Sequence, residues 1–294
     1  MAGSVERALE LIRENGPESI DRALALLQNT VYSFSMKVCG HPQDAEDSMQ
    51  DVLLKSIPHL AKFDDPQALK VWLYKVARNQ CVSRRRGNKN SFTKNLSLDA
   101  LMPDGREMRR LLSRTPSPEA AALSNETAEQ LQQAVLSLPL QYRTVLVLHD
   151  MEDLSTSEVA QILGIRDGTV RVRLHRARLF VRRHLSRIST GKGLEIHASA
   201  EQLGPQRCRR LFAALSDYMD GIVDDAMCQE MDRHIGDCLP CQAFLSSLEH
   251  AVAQCRSYAP RCKSSRSQEL RGELVVKYQQ AIAALGKQRA VPTN

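Results

Sequence analysis

The sequence predicts an all-α protein with two helical domains, joined by a flexible linker, and a smaller helical C-terminal domain. Of the 294 residues, 4% are aromatic and 25% are charged, and Leu, Ala, Val and Arg are abundant. Apolar residues recur every three to four positions along most of the chain, and there is no sustained alternation typical of strands. At about 100 to 200 residues per domain, the length predicts two or three domains.

A helix, a tight turn and a second helix are predicted between Leu154 and Arg187. Ser155 or Thr156 is positioned to cap the first helix with Glu158 in its first turn, and Gly164 is suited to end it. On the second helix one set of residues is expected to pack inward, namely Val170, Leu174, Ala177 and Val181. Another set is expected to face solvent or phosphate, namely Arg171, Arg173, Arg176 and Arg178.

Charge on this segment favours binding to duplex DNA. The segment contains eight Arg and two acidic residues, so its net charge of 8 − 2 = +6 equals that of the whole chain. Basic stripes neutralise phosphates, and Arg pairs bidentately with guanine edges. A basic helix that only contacts solvent is the alternative, and the preceding helix and turn favour the DNA interpretation.

The first domain, predicted over residues 1–90, contains two further informative helices. One opens with Asp44–Asp47, which suits either the positive end of a helix or a docking surface for a basic partner. The other places Trp72 on its apolar stripe, whereas Tyr74 lies among Lys, Arg and Asn residues. That second arrangement suits either unstacked bases or Arg and Lys side chains lying along the helix, and periodicity leaves both open.

Composition sets the remaining boundaries and the expected compartment. Gly, Ser, Asn and Pro mark linkers at 91–117 and 188–205; the helix-turn-helix domain spans 118–187, a Cys-rich domain 206–250 and an extension 251–294. The N-terminus has no secretory apolar segment, and no apolar run approaches the roughly 18 residues of a membrane span. A cytoplasmic protein with no membrane partner is expected, in which the eight Cys are not a disulfide framework.

A zinc site is predicted in the Cys-rich domain, because six of the eight Cys lie between Cys208 and Cys262. His234, Cys238 and Cys241 follow a His-x3-Cys-x2-Cys pattern, and Cys208 is the candidate fourth ligand of a tetrahedral site. A metal-free helical tail and a CxxC redox pair are the alternatives, although no βαβ setting for the latter is found. The leftover thiols suit core positions, a second metal or a thiol sensor: Cys228, Cys255 and Cys262.

The stretch from Val5 to Arg187 resembles the sigma-70 family, specifically its extracytoplasmic-function group. The resemblance rests on DAEDSMQDVLLKSI, VWLYKVARNQCVSRRR and LSLPLQYRTVLVLHDMEDLSTSEVAQILGIRDGTVRVRLHRAR. It departs from the family's commoner pattern at Thr156 and at Arg166-Asp167, which leaves the promoter sequence open.

The family resemblance implies partners and site residues for both sigma domains. It implies core RNA polymerase as a partner, through the β′ clamp helices and the β flap, with the clamp contacts on Asp47, Gln50, Asp51 and Val52. It implies binding of the melted minus-ten strand by Lys75, Arg78, Asn79 and Arg84. It implies reading of the duplex minus-thirty-five element by Thr169, Arg171, Arg173 and Arg176.

Residues from Cys208 to Leu248 resemble the zinc-binding anti-sigma domain that usually belongs to a separate protein. The resemblance implies that the fused domain contacts the sigma domains and modulates them in cis, by inhibition or by activation. The expected function is thus a sigma factor, not an enzyme. Two alternatives are a stand-alone helix-turn-helix regulator with a metal- or redox-sensing tail, and a redox or metal-handling enzyme in the C-terminal third.

Overall fold

The computed structural model describes residues 3–14, 16–85, 95–101, 125–188, 206–260 and 266–289. All regular structure in these ranges is helical, which confirms the predicted all-α class. In chain order the α-helices are α1 (Ser4–Glu14), α2 (Pro17–Cys39), α3 (Pro42–Leu60), α4 (Pro66–Arg85), α5 (Leu98–Leu101), α6 (Asn125–Ser137), α7 (Leu140–Leu146), α8 (Thr156–Leu163), α9 (Asp167–Ile188), α10 (Gln206–Met219), α11 (Asp225–Asp237), α12 (Leu239–Ser257) and α13 (Arg266–Arg289). A π-helix spans Val147–Met151.

The chain divides into two compact units. The first contains residues 1–89 and 259–294, and the second contains residues 90–258. Most of the predicted linkers at 91–117 and 188–205 lies outside the described residues. Within the described ranges, none of the helices combines the length and the apolar character that a bilayer crossing demands.

The first unit is built on α2, α3 and α4, with α1 and α13 packed on them. Gly40 ends α2 in the left-handed conformation at φ 80°, and after His41, the N-cap residue, Pro42 opens α3. Asp65 caps α4, because its carboxylate accepts hydrogen bonds from the backbone N–H groups of Gln67 and Ala68 at 3.0 Å. These residues determine where α3 and α4 begin, the two helices that carry the predicted polymerase and DNA residues.

The closing helix α13 packs against α2 and α3, with Leu274 and Tyr278 buried. The predicted extension 251–294 thus includes a helix that belongs to the same compact unit as the N-terminal helices.

Two findings in the first unit correct the sequence interpretation. Tyr74 is 1% exposed and stacks on Phe34, with ring centroids 4.7 Å apart, so it forms core and not a base-stacking surface. Cys39 and Cys81 are joined by a disulfide, although reduced cysteines were expected. Both features arise where α4 crosses α2, which the periodicity of one helix cannot reveal.

The second unit is organised around α9, against which α6, α7, α8, α10 and α12 pack, while α11 packs on α10 and α12. Arg143 of α7 is buried and donates to the carbonyls of Leu136 and Leu138, the latter at 2.9 Å, thereby satisfying the end of α6. Part of the predicted first linker also belongs to this unit: Leu101 is buried, and the Leu96 N–H donates to Tyr142 Oη at 3.1 Å.

Candidate functional site

The predicted helix, turn and helix are present between Ser155 and Ile188. Ser155 caps α8 in a capping box, since its hydroxyl accepts from Glu158 N–H at 3.3 Å and its own N–H donates to Glu158 Oε2 at 2.8 Å. Gly164 ends α8 at φ 66° and donates its N–H to the carbonyl of Ala160. The turn thereby positions α9, which we call the reader helix.

The reader helix has one packed face and one partly exposed face. As predicted, Val170, Leu174, Ala177 and Val181 are buried. All four residues predicted to read duplex DNA are partly exposed: Thr169, Arg171, Arg173 and Arg176. Arg171 forms a solvent-exposed contact with Asp167 at 3.8 Å, and an exposed pair of this kind holds the guanidinium weakly.

The expectation that Arg178 faces solvent or phosphate is wrong. Its side chain is fully buried and forms two bidentate ion pairs. One is with Asp150 of the π-helix, at 2.8 and 2.6 Å, and the other is with Asp220 just after α10, at 2.8 Å twice. We call Arg178, Asp150 and Asp220 the ion triad. It joins the reader helix to residues 206–258, which contain α10 to α12 and which we call the C-terminal segment.

Electrostatics within the ion triad favours the charged forms. Burial alone would raise the pKa of Asp150, but the charge and hydrogen bonds of Arg178, with His149, lower it to about 2. Burial opposes the charge on Arg178, yet Asp150 and Asp220 raise its pKa above the ordinary value. Each charge is therefore balanced inside the interface, which is the condition under which buried ion pairs persist.

Two further contacts join α10 and α12 to the reader helix. His175 Nδ1 lies 2.9 Å from the Ser216 hydroxyl, and both side chains are buried. The Arg182 guanidinium lies 4.0 Å from the ring centroid of Phe244, and Phe212 meets that ring edge-on at 4.5 Å. Leu179 of the reader helix is completely buried in the same apolar cluster.

A cluster of one histidine and three cysteines lies at the junction of α10, α11 and α12. The ligand atoms of Cys208, His234, Cys238 and Cys241 all lie within 4.8 Å of one another. His234 Nε2 is 3.4 Å from the sulfur of Cys208 and 3.2 Å from that of Cys241. Burial and the neighbouring Cys238 and Cys208 raise the pKa of Cys241, so its thiolate form is unfavourable unless a cation lies nearby.

The structure brings together all four predicted ligands and separates the leftover thiols from them. Cys228 Sγ instead lies 3.8 Å from Asp232 Oδ2, and Cys255 is buried on α12. Cys262 lies outside the described residues. The sequence interpretation missed the ion triad. Asp150 and Asp220 lie 28 and 42 residues from Arg178 along the chain, and such separations do not indicate that both acids bind the same guanidinium.

On the first unit, the predicted DNA residues of α4 form part of one surface. Lys75 and Asn79 are exposed, Arg78 is partly exposed and donates to Asn79 Oδ1 at 2.9 Å, and the Arg84 side chain lies outside the described residues. Trp72 is half-buried between His59 and Phe63, each with ring centroids 5.9 Å away. Trp72, not Tyr74, is the aromatic that shares a face with Lys75 and Asn79, at i, i+3 and i+7.

The predicted polymerase residues of α3 differ in exposure. Asp47, Gln50 and Asp51 are partly exposed, whereas Val52 is completely buried. Val52 lies with Met49 and Leu53 on the buried stripe of α3, so it packs beneath the acidic surface and is not itself exposed for a contact.

Comparison with known proteins agrees with this architecture. A family model described as Sigma-70 region 2 matches residues 24–91, and one described as Sigma-70, region 4 matches residues 128–187. A third family model, described as "Putative zinc-finger", matches residues 208–242, which include all four members of the Cys and His cluster.

Two curated relatives, SigW and YlaC, belong to the same family. SigW of Bacillus subtilis strain 168, an ECF RNA polymerase sigma factor, is 28% identical over 62% of this chain and 96% of its own. The sigma factor YlaC of the same organism is 30% identical over 58% of this chain and 94% of its own. The RpoE chain in its complex with the anti-sigma factor NepR from Bartonella quintana has a TM-score of 0.42 at 22% identity, and covers 57% of this chain and 98% of that chain.

The chain belongs to the sigma-70 family of RNA polymerase sigma factors. Relatives such as SigW are ECF sigma factors, and a segment that matches the zinc-finger family model follows the two sigma regions. Sigma factors are transcription initiation factors that bind core RNA polymerase and promoter DNA.

The contact between His175 and Ser216 predicts a pH dependence of the second unit. Burial and the charges of Arg178 and Arg176 lower the pKa of His175 from 6.5 to about 4. The native state therefore holds this ring neutral, and its contribution to stability is complete above pH 6.5 and is lost as pH falls towards 4. The full loss amounts to roughly 3 kcal/mol of unfolding free energy at pH values below the native pKa of His175. The substitution His175→Gln should therefore make stability less dependent on pH.

Denaturant unfolding of wild type and His175→Gln at pH 7.5, 6.0 and 4.5 measures the effect. Asp150 does not interfere in this range, because its pKa lies at about 2 and its ordinary value is 3.8. Acid release of a metal affects both proteins alike, so the difference between them is the relevant quantity. Parallel losses of stability in the two proteins would show that His175 is not held neutral.

Proposed function

We propose that this protein is an ECF sigma factor whose C-terminal segment binds zinc and restrains the sigma domains in cis. The main support for this proposal is the ion triad, because Asp220 of the C-terminal segment is paired with the fully buried Arg178 of the reader helix. In this proposal the first unit docks on core polymerase and binds melted promoter DNA. The reader helix binds the duplex upstream element.

Charge and exposure support the duplex-DNA role of the reader helix. Partly exposed Arg171 and Arg173 lie in its first two turns, where a recognition helix contacts base edges. The neighbouring acid Asp217 of α10 has its pKa raised by burial, with Arg171 opposing that rise. The C-terminal segment thus places a carboxylate in the field of Arg171, where it competes with phosphate for the same cation.

The first unit supports the polymerase role through α3. Its partly exposed Asp47 and Asp51 form an acidic surface, and charge complementarity favours a basic partner. The closing helix α13 packs on this same helix. In the proposal, contacts on α3 and on the reader helix both have to loosen before polymerase and promoter gain access.

The donor set supports zinc as the cofactor. Three sulfurs and one imidazole are typical of structural zinc sites, and a tetrahedron with metal–sulfur bonds of about 2.3 Å has edges of roughly 3.8 Å. The observed separations of 3.2 and 3.4 Å, with all ligand atoms inside 4.8 Å, fit that shape. Zinc would join the ends of α10, α11 and α12, because each of these helices contributes a ligand or ends beside one.

Two variants should separate DNA reading from polymerase docking. Arg171→Ala removes a base-reading cation and should weaken binding to a duplex promoter fragment by on the order of 1 to 3 kcal/mol, with polymerase binding retained. Asp47→Lys with Asp51→Lys should do the opposite, because it reverses the charge of the docking surface without touching the core.

Fluorescence anisotropy with labelled duplex and co-purification with core polymerase give the two measurements at matched salt. Each variant is the control for the other. Unchanged duplex affinity in Arg171→Ala would remove the reader assignment, and intact polymerase binding in the double reversal would remove the docking surface.

The metal assignment predicts one zinc per chain in full-length protein purified under reducing conditions. Cys238→Ser should lower the zinc content well below one, because a structural site needs all its ligands. Cys228→Ser is the matched control, since that thiol lies outside the cluster and should leave zinc unchanged. Elemental analysis decides the matter: a folded wild-type protein without zinc, or equal zinc in both variants, contradicts the site.

Restraint in cis predicts that Asp220→Asn activates transcription. The substitution removes one carboxylate from the shared contact but leaves Arg178 paired with Asp150, so the helix-turn-helix fold keeps its own ion pair. Losing half of a buried charged contact costs about 2 to 5 kcal/mol, so docking should weaken at least about tenfold. Promoter-directed run-off transcription with core polymerase should rise accordingly.

Glu249→Gln is the control, because Glu249 is an exposed acid of α12 and its loss changes the same formal charge. It should leave run-off yield at the wild-type level. If Asp220→Asn is no more active than Glu249→Gln, the ion triad does not restrain the sigma domains.

A further inference from the structure

We propose that Cys39 and Cys81 form a redox-operated staple within the first unit. In this proposal a hydroperoxide closes the disulfide and locks α2 to α4, and a dithiol reductant opens it. Nothing in the sigma-factor assignment or in the zinc site uses these two cysteines. They are the only cysteines among the described residues of the first unit.

The backbone holds the two cysteines at bonding distance. Cys39 is the last residue of α2, and Cys81 lies in the final turns of α4, which ends at Arg85. Their Cα atoms are 5.6 Å apart, within the range of about 4.4 to 6.8 Å that a disulfide spans without backbone movement. The bond therefore forms in the native fold of the unit.

Buried Ser48 of α3 provides a polar partner for the two thiols when the disulfide is reduced. Its hydroxyl lies 4.0 Å from the Cys39 sulfur and 3.9 Å from the Cys81 sulfur, and Ser48 is completely buried. A hydroxyl can accept a hydrogen bond from a thiol and donate one to a thiolate. Reduction thus leaves a polar partner beside both sulfurs, so the fold accommodates two redox states.

The positions of Cys39 and Cys81 in their helices determine how an oxidant can reach the two sulfurs. Both sulfurs are buried, at 3% and 0% residue exposure, so the reaction requires local opening. Each cysteine lies at or near a helix C-terminus, and helix ends open at a lower free-energy cost than the core. A small hydroperoxide can then reach a sulfur without global unfolding.

The chemistry balances with a hydroperoxide, ROOH, as the two-electron oxidant. One thiolate attacks the peroxide, the O–O bond breaks, and a sulfenic acid and ROH form, with the thiol proton taken up by the alkoxide. The second thiol attacks the sulfenic sulfur, the S–O bond breaks, and water leaves with the remaining proton. The two sulfurs have lost two electrons, and the peroxide has been reduced.

The disulfide closes a loop over the surface that the proposed function assigns to polymerase and promoter. The bonded residues are 42 positions apart, and the whole of α3 lies between them. Cross-linking stabilises more when the closed loop is longer, because it removes more freedom from the unfolded chain. Oxidation therefore stabilises the part of the unit that contains α3 and α4 against unfolding. Only the consequence for transcription rests on the proposed function.

Trp72 offers a readout confined to this unit. It is the only Trp of the chain and lies on α4, so its fluorescence follows unfolding of the first unit without interference from the thiols around His234. Full-length protein is reduced with dithiothreitol, desalted, and treated with hydrogen peroxide or buffer. Free thiols are tagged with a maleimide and assigned by peptide mass.

The proposal predicts that oxidised wild type has untagged Cys39 and Cys81 and a Trp72 melting midpoint at least about 5 °C above that of reduced protein. Dithiothreitol should reverse both changes. Cys39→Ser and Cys81→Ser should lose the shift, whereas Cys228→Ser should keep it. Where a serine variant fails to fold, the reversible wild-type comparison decides alone.

Two results would overturn the staple. One is complete tagging of both cysteines after peroxide treatment of folded protein, and the other is a disulfide that leaves the Trp72 midpoint unchanged. Neither result bears on polymerase binding or run-off yield, so a failure of the staple and a failure of the sigma-factor proposal remain distinguishable.

Discussion

The arrangement of the second unit depends on one guanidinium shared by two carboxylates. Arg178 is fully buried and pairs with Asp150 inside the helix-turn-helix and with Asp220 outside it. Burying a charge without a partner costs several kcal/mol, so either acid alone leaves part of the guanidinium unsatisfied. The reader helix is consequently most stable when the C-terminal segment is docked. Removing the single charge of Asp220 should therefore weaken docking.

Apolar contacts and the predicted metal site determine how rigidly that charge is presented. Leu179 and the Phe212–Phe244 pair form a common core between the reader helix and the C-terminal helices. The four candidate zinc ligands come from three helical segments of this small region, so a bound metal would cross-link those segments. Loss of a ligand should therefore loosen the surface that carries Asp220, which links metal content to access to the reader helix.

Local chemistry explains how much the sequence could predict. The Ser155 capping box, the Gly164 turn and the His234-to-Cys241 spacing are short-range patterns, and each was predicted in the place where the structure has it. Long-range packing was not predictable in this way. Helical periodicity placed Arg178 and Tyr74 on polar faces, and the family resemblance placed Val52 in a contact surface, yet all three side chains are buried by packing against other parts of the chain. The Cys39–Cys81 pair was missed for the same reason.

Restraint in cis is the central claim, and transcription by a shortened chain tests it most directly. Run-off transcription with core polymerase compares the full-length protein with a chain that ends after Arg187, at equal concentrations of folded protein. The account predicts a higher yield from the shortened chain, because the reader helix and α3 are freed from α10 to α13. An equal or lower yield from the shortened chain, with its helix content and polymerase binding intact, would contradict restraint by the C-terminal segment.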